Sequence, residues 1–115
     1  MITRAMTLIL ALTAAQLAQG VAMRMEMADP AMLTPVHIGL GVATALILLG
    51  LTRTVRSQKS PVAADVSFVL LLLILQGVSG IFILAEVEAA ALIHLALSFF
   101  VVAATASTLV LSASS

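Results

Sequence analysis

Four long stretches without a charged side chain constrain the fold of this 115-residue chain more than any other feature. They cover residues 5–23, 30–52, 66–85 and 89–115, and 63% of the whole chain is hydrophobic. Each stretch approaches or exceeds the roughly 20 residues that a membrane-spanning helix requires. Transmembrane β-strands would instead show segments of about ten residues with alternating polarity. The sequence therefore predicts an all-α membrane protein, a bundle of four transmembrane helices in a single domain over residues 1–115.

A repeated pattern divides the chain into two similar parts, about residues 1–57 and 58–115, each expected to form one helical hairpin. Each part contains Gln-Gly-Val, then fifteen residues, then a histidine: Gln19-Gly20 leads to His37 and Gln76-Gly77 leads to His94. These two histidines are the only ones in the chain. Ionisable groups inside a membrane segment are costly and usually face the bundle interior with a partner. The matched pair therefore predicts a single ligand shared by both histidines.

The distribution of positive charge predicts the orientation in the membrane. The polar segment 53–61 carries three of the five basic residues, and Arg4 lies near the N-terminus. Basic residues near helix ends mark the cytoplasmic side. We therefore expect both termini in the cytoplasm and the two shorter turns outside, in the plasma membrane of a prokaryote. The first helix should continue to about Met27, before a turn at Asp29-Pro30.

The first apolar stretch has an alternative interpretation as a secretory signal. Arg4 precedes an apolar segment that ends in small residues at 15–20, which is also the arrangement of a signal peptide. Removal of that segment would eliminate one copy of the repeat. We therefore expect the segment to be the first helix of the bundle.

The surroundings of the histidines predict a flat ligand, and haem b is the leading candidate. With turn centres near residues 28 and 85, the histidines should lie at equal depth, about 10 Å below the outer face. Cofactor sites in helical bundles are built from inward-facing side chains on facing helices. A small residue follows each histidine by four positions, and a glycine faces each from another helix: Gly41, Ser98, Gly20 and Gly77. These small residues should leave space for a porphyrin whose iron is bound by both histidines.

Two further contacts are expected at such a site. The imidazole nitrogen that is not bound to iron should donate to a carbonyl one turn back, near Leu33 or Ala90, or to Thr34. Arg24 lies about one turn outward of Gly20, where haem propionates could accept charge-assisted hydrogen bonds from it.

Other interpretations remain open at this stage. The glycines could serve only close helix packing, and the histidines could bond to a neighbouring helix. A zinc or copper site would need more nitrogen or sulfur ligands, and a chain without cysteine has no thiolate to offer. The chain has no basic block of the kind that binds nucleic acid, and it has no intramembrane carboxylate of the kind that lines an ion pathway. The absence of Trp and Tyr favours a haem-free accessory subunit of a larger membrane complex as the main alternative.

Two segments of the second hairpin carry a family resemblance. Residues 75–81 read Leu-Gln-Gly-Val-Ser-Gly-Ile, and residues 91–100 contain His94 followed by Ser98 and two phenylalanines. A Leu-Gln-x-x-x-Gly pattern, followed on the next helix by a haem-ligating histidine, resembles the haem A synthase family. The first hairpin resembles it through its Gln-x-x-x-Gly-x-x-x-Arg pattern and its histidine: Gln16, Gly20, Arg24 and His37.

This resemblance implies a fold, a cofactor and a possible activity. Full-length members have eight helices in two four-helix halves, and this chain resembles one half. The resemblance implies that His37 and His94 are the axial ligands of a b-type haem. It also implies an oxidoreductase that acts as a homodimer, or a small membrane cytochrome that transfers electrons.

The chain departs from the family at its first turn. Members that make haem A have a longer external loop there, with a catalytic glutamate and often a cysteine pair. Here the loop spans about residues 25–32, contains one glutamate, Glu26, and has no cysteine. No catalytic residue is therefore identified, and either Gln19 or Gln16 could correspond to the family's glutamine.

Overall fold

The computed structural model describes residues 1–114 as four long α-helices. They are α1 (Ile2–Arg24), α2 (Pro30–Ser57), α3 (Ala63–Leu84) and α4 (Ala90–Ser114). Each helix is long and apolar enough to span a membrane. The molecule is 42 Å long, which exceeds the hydrocarbon thickness of about 30 Å of a typical bilayer. The predicted all-α bundle of four transmembrane helices is confirmed.

The four helices form a ring in chain order. Helix α1 packs against α2 and α4, and α3 packs against the same two helices. Within residues 1–114, the diagonal pairs α1–α3 and α2–α4 make no close backbone contact. Side chains on α2 and α4 can therefore meet only across the axis of the bundle.

One half of the bundle, here called the packed half, is closed by apolar side chains. It contains the beginning of α1, the α2–α3 connection and the end of α4. Its buried core consists of Met6, Ile9, Leu48, Leu51, Val55, Val62, Val66 and Val69. Buried Thr52 and Thr105 satisfy their hydroxyls by donating to carbonyls of their own helices, at 2.7 and 2.6 Å. The helices are therefore held together mainly at this end.

Three helices end in the same backbone geometry. Glu26, Lys59 and Glu86 adopt positive φ angles of 58°, 52° and 58°. After the first of them, Met27 donates its N–H to the Ala22 carbonyl at 2.8 Å, and equivalent bonds follow the other two. This is the Schellman motif, in which one left-handed residue closes the last turn of a helix.

The expected end of the first helix at about Met27 is wrong by three residues, because α1 ends at Arg24. The left-handed conformation of Glu26 cannot continue an α-helix. Asp29 then caps α2, and its carboxylate accepts a hydrogen bond from the Ala31 N–H at 3.0 Å. Pro30 occupies the first position of α2, where its missing N–H costs nothing.

The α1–α2 and α3–α4 turns repeat at an interval of 60 residues, as the pair Glu26 and Glu86 shows. The histidines are 57 residues apart, so they occupy different positions in the two hairpins. His37 is the eighth residue of α2 and His94 the fifth of α4, counted from the helix starts. The expected equal distance of the two histidines from the turns is therefore wrong by three residues, because the turns are centred on residues 27 and 87 and not on 28 and 85.

Candidate functional site: a histidine-lined cavity

The half of the bundle next to the α1–α2 and α3–α4 turns, here called the histidine half, encloses a cavity of about 750 Å³. All four helices line it, and most of its lining is apolar. Ligand pockets typically have volumes of about 300–1,000 Å³, with a few polar groups that orient the ligand. The polar residues on this cavity are Gln16, Arg24, Thr34, His37, Gln76, His94 and Ser98. The cavity therefore has the size and character of a binding site.

His37 and His94 face each other across the axis of the bundle. They lie on the diagonal helices α2 and α4, and their ring centroids are 6.2 Å apart. The ring planes are inclined at 69°. The structure therefore brings together the two histidines that the repeat singled out.

His94 is held by a network of hydrogen bonds to α3. Its Nδ1 lies 2.8 Å from the Gln76 carbonyl oxygen and 2.9 Å from the Ser79 hydroxyl. The Ser79 hydroxyl also donates to the Gln76 carbonyl at 2.7 Å. Because a carbonyl can only accept, Nδ1 carries the proton. The Nε2 atom of neutral His94 is then left with its lone pair free to bind a ligand.

A second part of the same network joins Gln76 to α4. The Gln76 side-chain amide donates to the Ser98 hydroxyl at 2.6 Å, and that hydroxyl donates to the His94 carbonyl at 2.8 Å. Gln76 and Ser98 are both buried. The α3–α4 hairpin is therefore tied together at the level of its histidine.

His37 is oriented from α1 by one hydrogen bond among the residues that the structure describes. Its Nδ1 lies 3.2 Å from the side-chain carbonyl oxygen of Gln19. An amide oxygen only accepts, so Nδ1 of His37 also carries the proton. Within residues 1–114 neither Nε2 atom has a hydrogen-bond partner, and neither is sealed from the open space. In their neutral forms, both imidazoles would present an unprotonated Nε2 atom at one cavity.

The predicted partners of these imidazoles, Leu33, Ala90 and Thr34, are wrong. Nδ1 of His37 reaches the Gln19 side chain on α1, and Nδ1 of His94 reaches the Gln76 carbonyl on α3, so the imidazoles bond to neighbouring helices and not to their own. The Thr34 hydroxyl donates to the sulfur atom of Met23 at 3.7 Å. The acceptors are therefore supplied by α1 and α3.

The structure places every predicted site residue at or beside the cavity. Those that line it directly are Gly20, Arg24, His37, Gly41, Gln76, Gly77, His94 and Ser98. Gln19 does not line the cavity but orients His37. The 60-residue interval of the turns pairs the cavity-lining Gln76 with Gln16 and not with Gln19.

Three residues at the site, Thr44, Ser79 and Gly80, were not among the predicted site residues. Gln16, the alternative to Gln19 as the counterpart of the family's glutamine, is buried and accepts a long hydrogen bond from Thr44 at 3.5 Å. A Cβ atom at Gly80 would lie 3.3 Å from Cε1 of His94. The Gln-x-x-x-Gly spacing, which occurs at Gln16 and at Gln76, is the sequence signal that points to Gly80.

Within residues 1–114 no group of three or more His, Cys, Asp or Glu side chains is arranged to hold a metal ion. The cavity offers two imidazole nitrogens from the protein. A tetrahedral zinc site normally takes at least three protein ligands. The pair therefore fits a metal whose remaining ligands come from elsewhere.

No protein-family model, curated protein or solved structure matches this chain. The functional assignment therefore rests on the cavity and its residues.

Proposed function

We propose that this membrane protein binds one haem b in the cavity, with the iron held between Nε2 of His37 and Nε2 of His94. The observation that carries the proposal is the pair of imidazoles on diagonal helices, each with its Nδ1 proton bound by an oxygen acceptor. A metal–imidazole bond is about 2 Å long, and the centre of the ring lies about 1 Å beyond the bound nitrogen. Two imidazoles on opposite sides of one metal ion would therefore have their ring centroids about 6 Å apart. The separation of 6.2 Å agrees with this requirement.

The rest of the cavity also fits a haem. The imidazoles of His37 and His94 would be sufficient to hold a haem, because the porphyrin would supply the other nitrogen ligands of the iron. An added Cβ at Gly20 or Gly77 would meet no atom within 4 Å, so both positions leave open space beside the ring. Arg24 is exposed at the turn end of the cavity and would donate charge-assisted hydrogen bonds to the propionates. Bound haem supplies one-electron chemistry, and the protein would hold and orient it.

The proposed setting is the plasma membrane of a prokaryote, with both termini in the cytoplasm. Arg53, Arg56 and Lys59 lie at one end of the bundle, and the acidic Glu86 and Glu88 lie at the other. Basic residues mark the cytoplasmic side, so the haem would lie nearer the outer face. The proposed partners are the lipids of the surrounding bilayer and either a second copy of this chain, in a homodimer, or the other subunits of a larger membrane complex.

The resemblance to one half of a haem A synthase suggests two roles for the haem. One is electron transfer, as in a small membrane cytochrome. The other is haem modification, which requires a substrate haem as well as a cofactor haem. The two histidines of one chain hold one haem, so modification would require a homodimer that brings two cavities into eight helices.

The visible absorption spectrum of the purified protein tests the proposal. We expect a low-spin b-type haem in both the oxidised and the reduced protein, because two neutral imidazoles bind the iron. His37→Ala or His94→Ala should convert or abolish the spectrum. Thr105→Val in the packed half is the matched control on α4, because its hydroxyl donates to the Val101 carbonyl of the same helix and lies outside the histidine half.

The possible outcomes separate the candidate functions. A low-spin spectrum that survives the double substitution of His37 and His94 would refute the ligand assignment. Protein that folds and purifies without any pigment, even after haem is added, would favour the haem-free accessory subunit.

A further inference from the structure

The two histidines are held with unequal strength, and His94 is the rigid one. Its Nδ1 has two oxygen acceptors within 2.9 Å, one of which is a backbone carbonyl. Buried Ala90 and Ser98 flank it on α4, one turn away on either side. Gly80 of α3 lies directly against its ring. Movement of His94 would therefore break several contacts at once.

His37 is attached much more weakly. Within residues 1–114, its only hydrogen bond runs to a side-chain amide, at 3.2 Å, and the half-buried Gln19 that provides this amide makes no other side-chain hydrogen bond. The first half of α2, residues 30–43, contains no buried residue, and Thr44 is the first. Contacts with the other helices therefore hold this part of α2 less tightly than the part that begins at Thr44.

The backbone of the first half of α2 is also the easier one to bend. Pro35 lies inside the helix and lacks the N–H that would bond to the Ala31 carbonyl. Gly39 and Gly41 follow, and glycine is the poorest helix former after proline. The equivalent part of α4, residues 90–101, contains neither residue type. The helix that carries His37 is therefore compliant, whereas the helix that carries His94 is not.

We infer that a small uncharged ligand of the carbon monoxide type binds the iron in place of His37, while His94 remains bound. The inference rests on the proposed haem site. His37 would release the iron as the ligand binds it, so that one bond would replace another without transfer of a proton or an electron. The first half of α2 moves aside, and the imidazole stays neutral. The ligand is uncharged because a largely apolar cavity at membrane depth disfavours an ion.

Carbon monoxide added to the dithionite-reduced protein is the direct probe. We expect the low-spin spectrum to be replaced by that of a carbon monoxide complex at a rate limited by the release of His37. His37→Ala should bind carbon monoxide at least tenfold faster, because no ligand has to leave, and it should keep its haem on His94. His94→Ala should lose most of its haem.

A pair of glycine variants on α2 tests the movement of the helix. An added Cβ meets no atom within 4 Å at either Gly39 or Gly50, so both proteins should fold. Gly39→Ala should stiffen the first half of α2 and slow carbon monoxide binding about fivefold. This factor corresponds to the difference in helix propensity between glycine and alanine. Gly50→Ala lies beside the packed half and should leave the rate unchanged.

Each outcome has one meaning. Absence of a haem spectrum refutes the proposed function and this inference together. A haem that stays low-spin under carbon monoxide refutes only the inference. Equal rates in Gly39→Ala and Gly50→Ala refute the movement of α2. Faster binding in His94→Ala than in His37→Ala would show that the displaced ligand is His94.

Discussion

The Gln19 side-chain oxygen and the Gln76 backbone carbonyl perform the same task on the two histidines, since each accepts the Nδ1 proton. The first acceptor can rotate with its side chain, whereas the second is fixed in α3. Sequence alone identified the glutamines and the histidines but could not show that the acceptor at position 76 is the backbone. The position of the Gln76 carbonyl relative to the His94 ring depends on how α3 and α4 pack, and the spacing of residues in the sequence does not determine that packing.

Gly80 allows a residue-level prediction about the His94 ring. A Cβ at this position would lie 3.3 Å from Cε1 and 3.6 Å from Nδ1 of His94, whereas a Cβ at Gly77 meets nothing within 4 Å. We expect Gly80→Ala to lower the free energy of unfolding by about 1 kcal/mol, because overpacking displaces the ring from its acceptors. Gly77→Ala on the same helix should be neutral or stabilising. Denaturation in detergent micelles measures both, and equal values would contradict the contact.

At the level of secondary structure, the uncharged stretches were sufficient to predict four helices and two hairpins. They were insufficient to predict where α1 ends, because its left-handed residue is Glu26 and not the glycine that usually marks this position. The Gln-Gly-Val repeat indicated an interval of 57 residues, whereas the backbone turns repeat at 60. The motif interval depends on which side chains recur, whereas the turn interval depends on where the backbone hydrogen bonds end each helix. The two intervals therefore need not agree.

The turn between α3 and α4 provides the prediction for this level. Glu86 holds a φ of 58°, a conformation that costs a residue with a side chain about 1–2 kcal/mol and costs glycine little. We expect Glu86→Gly to raise the free energy of unfolding in micelles by about 1 kcal/mol. Glu88→Gly, two residues later and without a positive φ, should lower it slightly through the added freedom of the unfolded chain. A loss of stability in Glu86→Gly would contradict the Schellman geometry.

At the scale of the whole molecule, the bundle has two unlike ends. The packed half holds the apolar core beside the basic α2–α3 connection, and the histidine half holds the cavity beside two turns that carry Glu26, Asp29, Glu86 and Glu88. The chain therefore combines a rigid anchor with an open end in which a ligand can be accommodated. The same polarity of charge determines which membrane face the open end should approach.

Single cysteines test that orientation directly, because the natural chain contains none. Ser57 is exposed at the end of α2, and Glu88 is exposed in the α3–α4 turn. We expect an impermeant thiol reagent added to intact cells to label Glu88→Cys and to leave Ser57→Cys unlabelled until the cells are permeabilised. Basic residues resist transfer across the membrane during insertion, and three of them surround position 57. Labelling of Ser57→Cys in intact cells would show that the topology is the reverse of the expected one. The histidine cavity would then lie near the cytoplasmic face, and its ligand would be supplied from inside the cell.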